Sequence, residues 1–478
     1  METYQAALNY VWGLVNFETT PPARREPYRL ERMRALLARL GTPQDAVPAI
    51  HIAGSKGKGS TAAMVEIVLR AAGHRTGLFT SPHLHTPRER IRVAGHMISR
   101  ETFVALVNRL RPVAESLHGV TTFEFLTAMA FVHFAEANVD VAVIEVGLGG
   151  RLDATNLISR PLVTIITPLS LEHTAVLGTT LAKIAAEKAG IIKPGVPLVS
   201  APQAPDALNV LVQVAERRGA PATLVGDTWM WERTALSLEG QQFNVTFQPC
   251  GSAGEGIAIW GHACGAYQFG VNLTDLTLPL LGPHQLVNAT TAVAALHTIR
   301  EQGVLWSEHA LRRGLAHVVW PARVEVMNRH PFIVVDGAHN DASALALRHT
   351  LLELVQHGLV SWERLWLVVG LLQDKAPDVV LAPLLPLAAG VVVTQARHPR
   401  ARPADDLAAR LQRPDLPLAP VVEVEPAVDE AVHLALERAG PDGAVVVTGS
   451  LFVAAEARRA LATTTAKMST TTPRPTGP

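Results

Sequence analysis

The chain is expected to fold as α/β, with an N-terminal parallel-sheet domain carrying a small β insertion and a second α/β domain behind it. Three observations predict this. Apolar strand-like runs alternate with helical stretches, the strands end in short glycine-rich or polar loops, and the rhythm breaks over about residues 228–278 before resuming near Arg323. At 478 residues the chain exceeds what one core serves. Residues 1–300 form the first expected domain and 301–462 the second, and the Thr/Pro-rich stretch 463–478 reads as a disordered tail.

The first strand is the apolar run ending at Ala53. It enters Gly54-Ser55-Lys56-Gly57-Lys58-Gly59-Ser60-Thr61, and a helix from Ser60 to about Ala72 follows. Glycines bring bare backbone N–H groups close to an anion, the helix dipole points its positive end at the same spot, and Lys58 adds a point charge. The stretch therefore reads as a nucleotide phosphate cradle. The general GxxxxGK[ST] pattern is not met, since position 52 is Ile and Gly59 intervenes before Ser60. A plain surface turn is the alternative.

Next come a loop at Thr80-Ser81-Pro82-His83 and helical stretches at Arg100–Leu117 and Phe123–Asn138. A buried strand, Val139–Val146, runs into the turn Gly147–Gly150. The strand Leu162–Thr167 leads to Ser170-Leu171-Glu172-His173, and a helix covers about Thr180–Ala189. Alternation at Leu236–Val245 suggests a hairpin, and Gly251–Gly265 a loop insertion. Strands are then expected at Phe332–Val335, Leu365–Val369, Val391–Thr394, Val421–Val424 and Ala444–Thr448.

Composition narrows the function. Hydrophobic residues at 48% and charged residues at 18% exclude general disorder, and 42 basic against 42 acidic residues give no global field for nucleic acid or an anionic membrane. Any anionic ligand must be held locally. The two cysteines, Cys250 and Cys264, are too few for a disulfide framework or a cysteine metal site, although one bridge between them is open. With no signal-peptide or spanning pattern, a cytoplasmic protein is expected.

Ser81, Glu145 and His173 stand where strands should end, and their oxygen and imidazole groups suit a divalent cation bridging nucleotide phosphates. Taken singly, His173 fits a capping role and Glu145 an ion pair with Arg151. Lys188 lies over Ile184 and Leu181 on the apolar stripe of its helix, where a neutral amine could take up CO₂, while Lys183 can pair with Glu187. The residues alone favour a snorkelling Lys188 with its ammonium in water. Asn288 offers edges suited to adenine, Arg323 can reach phosphate, and Asp336 can hold ribose hydroxyls, with capping as the plain alternative for Asn288 and Asp336.

Several stretches occur in one order: Ala53–Ser60, Thr80–Leu84 with Glu89-Arg90-Ile91, Glu145–Asn156, Glu187–Lys193, Asp336–Asn340 and Thr448–Leu451. Together they resemble the folylpolyglutamate synthase and dihydrofolate synthase family, a branch of the Mur ligase superfamily, over roughly residues 25–460. The resemblance implies a P-loop NTPase-like first domain and a Rossmann-like second one. It implies ATP held by Gly57, Lys58, Gly59, Ser60, Asn288, Arg323 and Asp336. It further implies a pair of Mg²⁺ sites on Ser81, Glu145, His173 and a carbamylated Lys188, which reverses the snorkelling preference. Lys58, Lys188 and His173 would be the catalytic groups. Thr122, Phe123, Glu124, Phe125, Leu152, Asp153 and Ala154 would contact the pterin-bearing substrate, with His339 and Ser450 on the side of the incoming glutamate. The implied reaction adds L-glutamate to dihydropteroate or a reduced folate through an acyl phosphate, in a monomer that takes only small-molecule partners. A Mur-type ligase for another carboxylate and a non-catalytic nucleotide-binding module are the rival readings. Lys56, where the family usually has Asn, and Glu172, where Asp commonly precedes the histidine, depart from the pattern.

Overall fold

The computed structural model describes residues 1–19, 30–248, 271–413 and 421–470. The expected loop at Gly251–Gly265 and both cysteines lie outside the described residues. Two compact units emerge, one reaching Trp320 and the other beginning at Pro321, with 237–239 and 280–282 grouped with the second. The division thus falls later than residue 300. The helix Glu308–Ala316 packs on the helix Lys58–Ala71, and Gly314 makes the approach possible, since a Cβ there would lie 2.7 Å from Val68 Cα.

The first unit holds an eight-stranded sheet. Its strands are β1 (Ala49–Ala53), β2 (Thr76–Phe79), β3 (Ile91–Val93), β4 (His96–Met97), β5 (Val141–Glu145), β6 (Val163–Ile166), β7 (Leu198–Ser200) and β8 (Ala222–Leu224). Their spatial order is β4-β3-β2-β5-β1-β6-β7-β8. The run from β2 to β8 is parallel, and β3 and β4 add an antiparallel edge that the sequence reading did not anticipate. Every residue of β1 and β5 is buried, as expected of strands covered on both faces. Phe103, Leu106, Phe125 and Met129 from two helices pack with Phe79 and Ile144 on one side, and Ile166, Leu198, Leu211 and Ala215 form a second cluster. Burying each large side chain of this kind contributes about 2 kcal/mol.

The β excursion is a three-stranded sheet of β9 (Trp229–Ser237), β10 (Gly240–Phe247) and β11 (Asn272–Leu278), in the order β11-β10-β9. The helix Pro283–Arg300 follows it and packs against Lys58–Ala71.

The second unit is a six-stranded sheet of β12 (Glu325–Arg329), β13 (Phe332–Val335), β14 (Leu365–Val369), β15 (Gly390–Val393), β16 (Val421–Val424) and β17 (Ala444–Thr448). The order is β12-β13-β17-β14-β15-β16, parallel apart from the β12 edge. All five strands expected here are present. The final helix runs Leu451–Thr470, so the first part of the stretch expected to be disordered is helical, continuing an alanine-rich segment of high helix propensity. Among the described residues no helix is long and apolar enough to cross a membrane.

Candidate active site

β1 occupies the middle of the first sheet, between β5 and β6, so the loops after these three strands emerge side by side. The cradle after β1 is shaped by close approach. Gly54 sits at φ +153°, and a Cβ there would lie 1.8 Å from Thr167 Oγ1. The N–H groups of Ser55 and Lys56 both donate to the Pro168 carbonyl at 3.1 Å, and Ser55 Oγ donates to the Ser170 carbonyl at 3.1 Å. These bonds stitch the cradle to the loop after β6.

The helix begins at Lys58, two residues earlier than expected, with Gly57 at φ +81° as its cap and no side chain serving the first-turn N–H groups. A Cβ on Gly57 would meet Asn288 Oδ1 at 2.1 Å, and one on Gly59 would meet the Trp320 ring at 2.8 Å. Asn288, donating to Gln285 Oε1 at 3.0 Å, is thereby brought against the cradle.

The lysines decide the electrostatics. Lys58 Nζ donates to the Gly54 carbonyl at 3.1 Å, and Lys188 Nζ donates to the same oxygen at 2.8 Å. Lys188 is only 2% exposed, and its second partner is Glu172 Oε1 at 2.9 Å. The snorkelling reading is therefore wrong, because the helix ends at Lys188 and aims the stem beneath the cradle rather than out to water. Glu172 also lies 3.9 Å from Lys56 Nζ. Burial lowers the Lys188 pKa, Glu172 opposes that, and Lys58 adds to it. For Glu172 burial favours the neutral acid, but Lys188, then Lys58 and Lys56, hold its carboxyl well below the usual range. Three ammonium groups thus face one carboxylate, an arrangement that welcomes a further anion.

Among the expected metal ligands, Ser81 and Glu145 are joined, the Ser81 N–H donating to Glu145 Oε2 at 3.1 Å. Arg151 pairs with Glu187 instead, at 3.1 Å, so neither the Glu145–Arg151 nor the Lys183–Glu187 pairing is the one formed. His173 is exposed, at φ +46°, beside Glu172. Among the described residues no cluster of three or more His, Cys, Asp or Glu is assembled. The donor set of hydroxyl and carboxylate nevertheless suits a hard cation, and Ser170 Oγ, buried beside the cradle, has no hydrogen-bond partner among the described residues.

Most of the residues expected to contact substrate are buried. Thr122, Glu124 and Phe125 are buried, and Glu124 accepts from the Thr121 N–H and from Arg32 Nε, both at 2.8 Å, as part of a helix-start capping box. Only Phe123 is partly exposed, and a Cβ on Gly147 would lie 2.4 Å from its ring. Leu152 is half-buried and Ala154 buried. Asp153 is buried, with its oxygens receiving the Leu148 N–H at 2.9 Å, the Thr155 N–H at 3.0 Å and the Thr155 hydroxyl at 2.5 Å. It organises its own loop.

In the second unit Asp336 likewise serves its backbone, accepting from Val324 N–H at 2.8 Å and Ala338 N–H at 2.7 Å. Arg323 Nη1 donates to the Ala322 carbonyl at 2.7 Å, and Gly337 leaves room for it. His339 Nδ1 must carry the proton, since it faces the Gly337 carbonyl at 2.9 Å. Ser450 Oγ accepts from the Val453 N–H at 3.2 Å, in the manner of a helix cap. Glu172 is the site residue that sequence reasoning noted but left out of the chemistry. Its charge at a strand-end loop was the available signal, and its partner Lys188 ends the helix Leu181–Lys188 downstream.

Comparison with known proteins follows this geometry. Residues 52–296 match the Mur ligase middle domain, and residues 322–451 match the Mur ligase glutamate ligase domain. The chain is 34% identical over 468 residues to the dihydrofolate synthase/folylpolyglutamate synthase of Bacillus subtilis, covering 96% of this chain and 99% of that protein. The Mycobacterium tuberculosis folylpolyglutamate synthase complexed with ADP and AMPPCP superposes with a TM-score of 0.80 at 35% identity, covering 96% of this chain and 99% of the other. E. coli FolC in complex with DHPP and ADP gives 0.80 at 28% identity, covering 97% and 99%.

Proposed function

Because the chain belongs to the folylpolyglutamate synthase and dihydrofolate synthase family of Mur ligases, we propose that it spends ATP to join L-glutamate to the carboxylate of a pteroyl substrate, dihydropteroate or a reduced folate. The chain is an ATP-dependent ligase. The observation that carries the reading is the convergence of Lys58 and Lys188 on the Gly54 carbonyl at the start of an uncapped helix.

The substrate carboxylate attacks the γ-phosphorus of ATP, the bond to the β-phosphate oxygen breaks, and ADP leaves. The glutamate amine then attacks the resulting acyl phosphate, losing a proton and expelling phosphate as the amide forms. Two anions must meet in the first step, and the Lys58 ammonium with the first-turn N–H groups of its helix offsets their repulsion. Asn288, against Gly57, would contact the nucleotide, and Phe123 the pterin ring. His173, beside Glu172, takes the third catalytic place. Ser81, Glu145, His173 and Lys188 as its carbamate would hold Mg²⁺, which when bound supplies charge neutralisation at the phosphates. Lys188 suits carbamylation because its burial favours the neutral amine that attacks CO₂. Arg323 and Asp336 are assigned to the nucleotide, and His339 and Ser450 to the glutamate. The enzyme works as a cytoplasmic monomer.

The test is purified protein with ATP, Mg²⁺ and glutamate, offered dihydropteroate and tetrahydrofolate separately, with products weighed by mass spectrometry. A mass gain of one glutamate residue is expected. ATP binding with no substrate-dependent phosphate release would refute the proposal.

A further inference from the structure

The mechanism makes no use of the buried His51 imidazole. His51 lies in the middle of β1, two residues before the strand ends at the cradle, and is completely shielded from solvent. Its Nε2 is 2.8 Å from Thr155 Oγ1. The Thr155 hydroxyl has one proton, and the Asp153 carboxylate takes it at 2.5 Å. Towards His51 that oxygen can only accept, so the imidazole proton sits on Nε2. Nδ1, buried with no partner, is then a bare lone pair rather than an orphaned N–H. Burial, with Lys193 adding to it, pushes the His51 pKa down to about 3, and the ring stays neutral at working pH.

The hydrogen bonds form one directed chain, from His51 Nε2–H to the Thr155 hydroxyl to Asp153, and Asp153 in turn holds the Leu148 N–H. It joins the strand that ends in the phosphate cradle to the loop after β5 that also abuts Phe123 through Gly147. We infer that His51 is a positioning residue which, through Thr155 and Asp153, locks the Gly147–Ala154 loop in place against β1 and so sets affinity for the pteroyl substrate. This rests on the proposed role of that loop in binding the substrate.

The experiment compares His51→Leu, Thr155→Val and His51→Gln with wild type, measuring KM for the pteroyl substrate, KM for ATP and kcat. The first two should raise the pteroyl KM with KM for ATP unchanged, His51→Leu about tenfold for one lost buried hydrogen bond and Thr155→Val at least as much, because its hydroxyl both accepts from His51 and donates to Asp153. His51→Gln, whose amide N–H can reach Thr155, should recover most of that loss. Equal losses in all three parameters, with no recovery by Gln, would mean a merely structural histidine and overturn the inference. The ¹⁵N spectrum of the wild-type imidazole reads the chain without substrate: a protonated Nε2 with bare Nδ1 supports it, and the opposite tautomer overturns it. Should wild type turn over no pteroyl substrate, the functional proposal falls, and the tautomer alone decides whether the relay exists.

Discussion

The two loops flanking the cradle solve the problem of a buried carboxylate in opposite ways. After β6, Glu172 is surrounded by Lys188, Lys58 and Lys56, which depress its pKa against the effect of burial. After β5, Asp153 is surrounded by N–H groups and a hydroxyl, and burial wins, raising its pKa despite those bonds. Formal charges counter desolvation where dipoles do not. The difference separates a charged flank, suited to phosphates, from a flank braced by neutral donors beside Phe123, suited to a flat heterocycle.

Substitutions can break this contrast. The largest effect is expected for Lys58→Ala, which should cut turnover by about 10³-fold while leaving the fold intact, checked by phosphate release and circular dichroism. An active, folded variant would remove Lys58 from the charged flank. In the uncarbamylated protein, Glu172→Gln leaves the buried Lys188 ammonium without its counter-charge and should destabilise the protein by about 3 kcal/mol in urea unfolding at neutral pH.

The pH dependence of the two acids should differ in sign. Glu172 has a folded pKa below its ordinary 4.5, so the unfolded chain binds more protons. Its contribution is full above that pH and is lost as pH falls through the folded value. Asp153 has a folded pKa above its ordinary 3.8, so stability falls as pH rises from there through the folded value. Urea midpoints across acidic pH for Glu172→Gln and Asp153→Asn should therefore depart from wild type with opposite slopes. Parallel slopes would collapse the distinction.

Gly57→Ala should cost about 1–2 kcal/mol for a side chain at positive φ and raise KM for ATP, because the new Cβ displaces Asn288. Arg151→Ala sharpens the contrast from its weak end. Its pairing with Glu187 is half-exposed at Arg151, so a change of at most about 0.5 kcal/mol is expected in the same unfolding assay.

Much of this was legible along the chain. The strand, glycine turn and lysine of residues 50–61 announce an anion site by local chemistry, and strand–helix alternation announces two parallel sheets. The pairing of Gly57 with Asn288 was not legible, since 230 residues of intervening chain hide it, nor was the antiparallel edge of β3 and β4, whose strands are too short to carry a period. The segment Thr122–Phe125 read as a substrate surface, yet the capping box and Arg32 turn three of its four side chains inward.

Sequence alone determined which residues could bear charge, which turns needed glycine, and which stretches would be helix or strand in most of the chain, because these follow from neighbours a few positions apart. Tertiary structure alone decided that Lys188 ends beneath the cradle beside Glu172 rather than in water, and that the Thr155 hydroxyl, held by Asp153, meets His51 of β1. Desolvation and hydrogen-bond direction depend on what packs around a group, and that is settled only when distant segments meet.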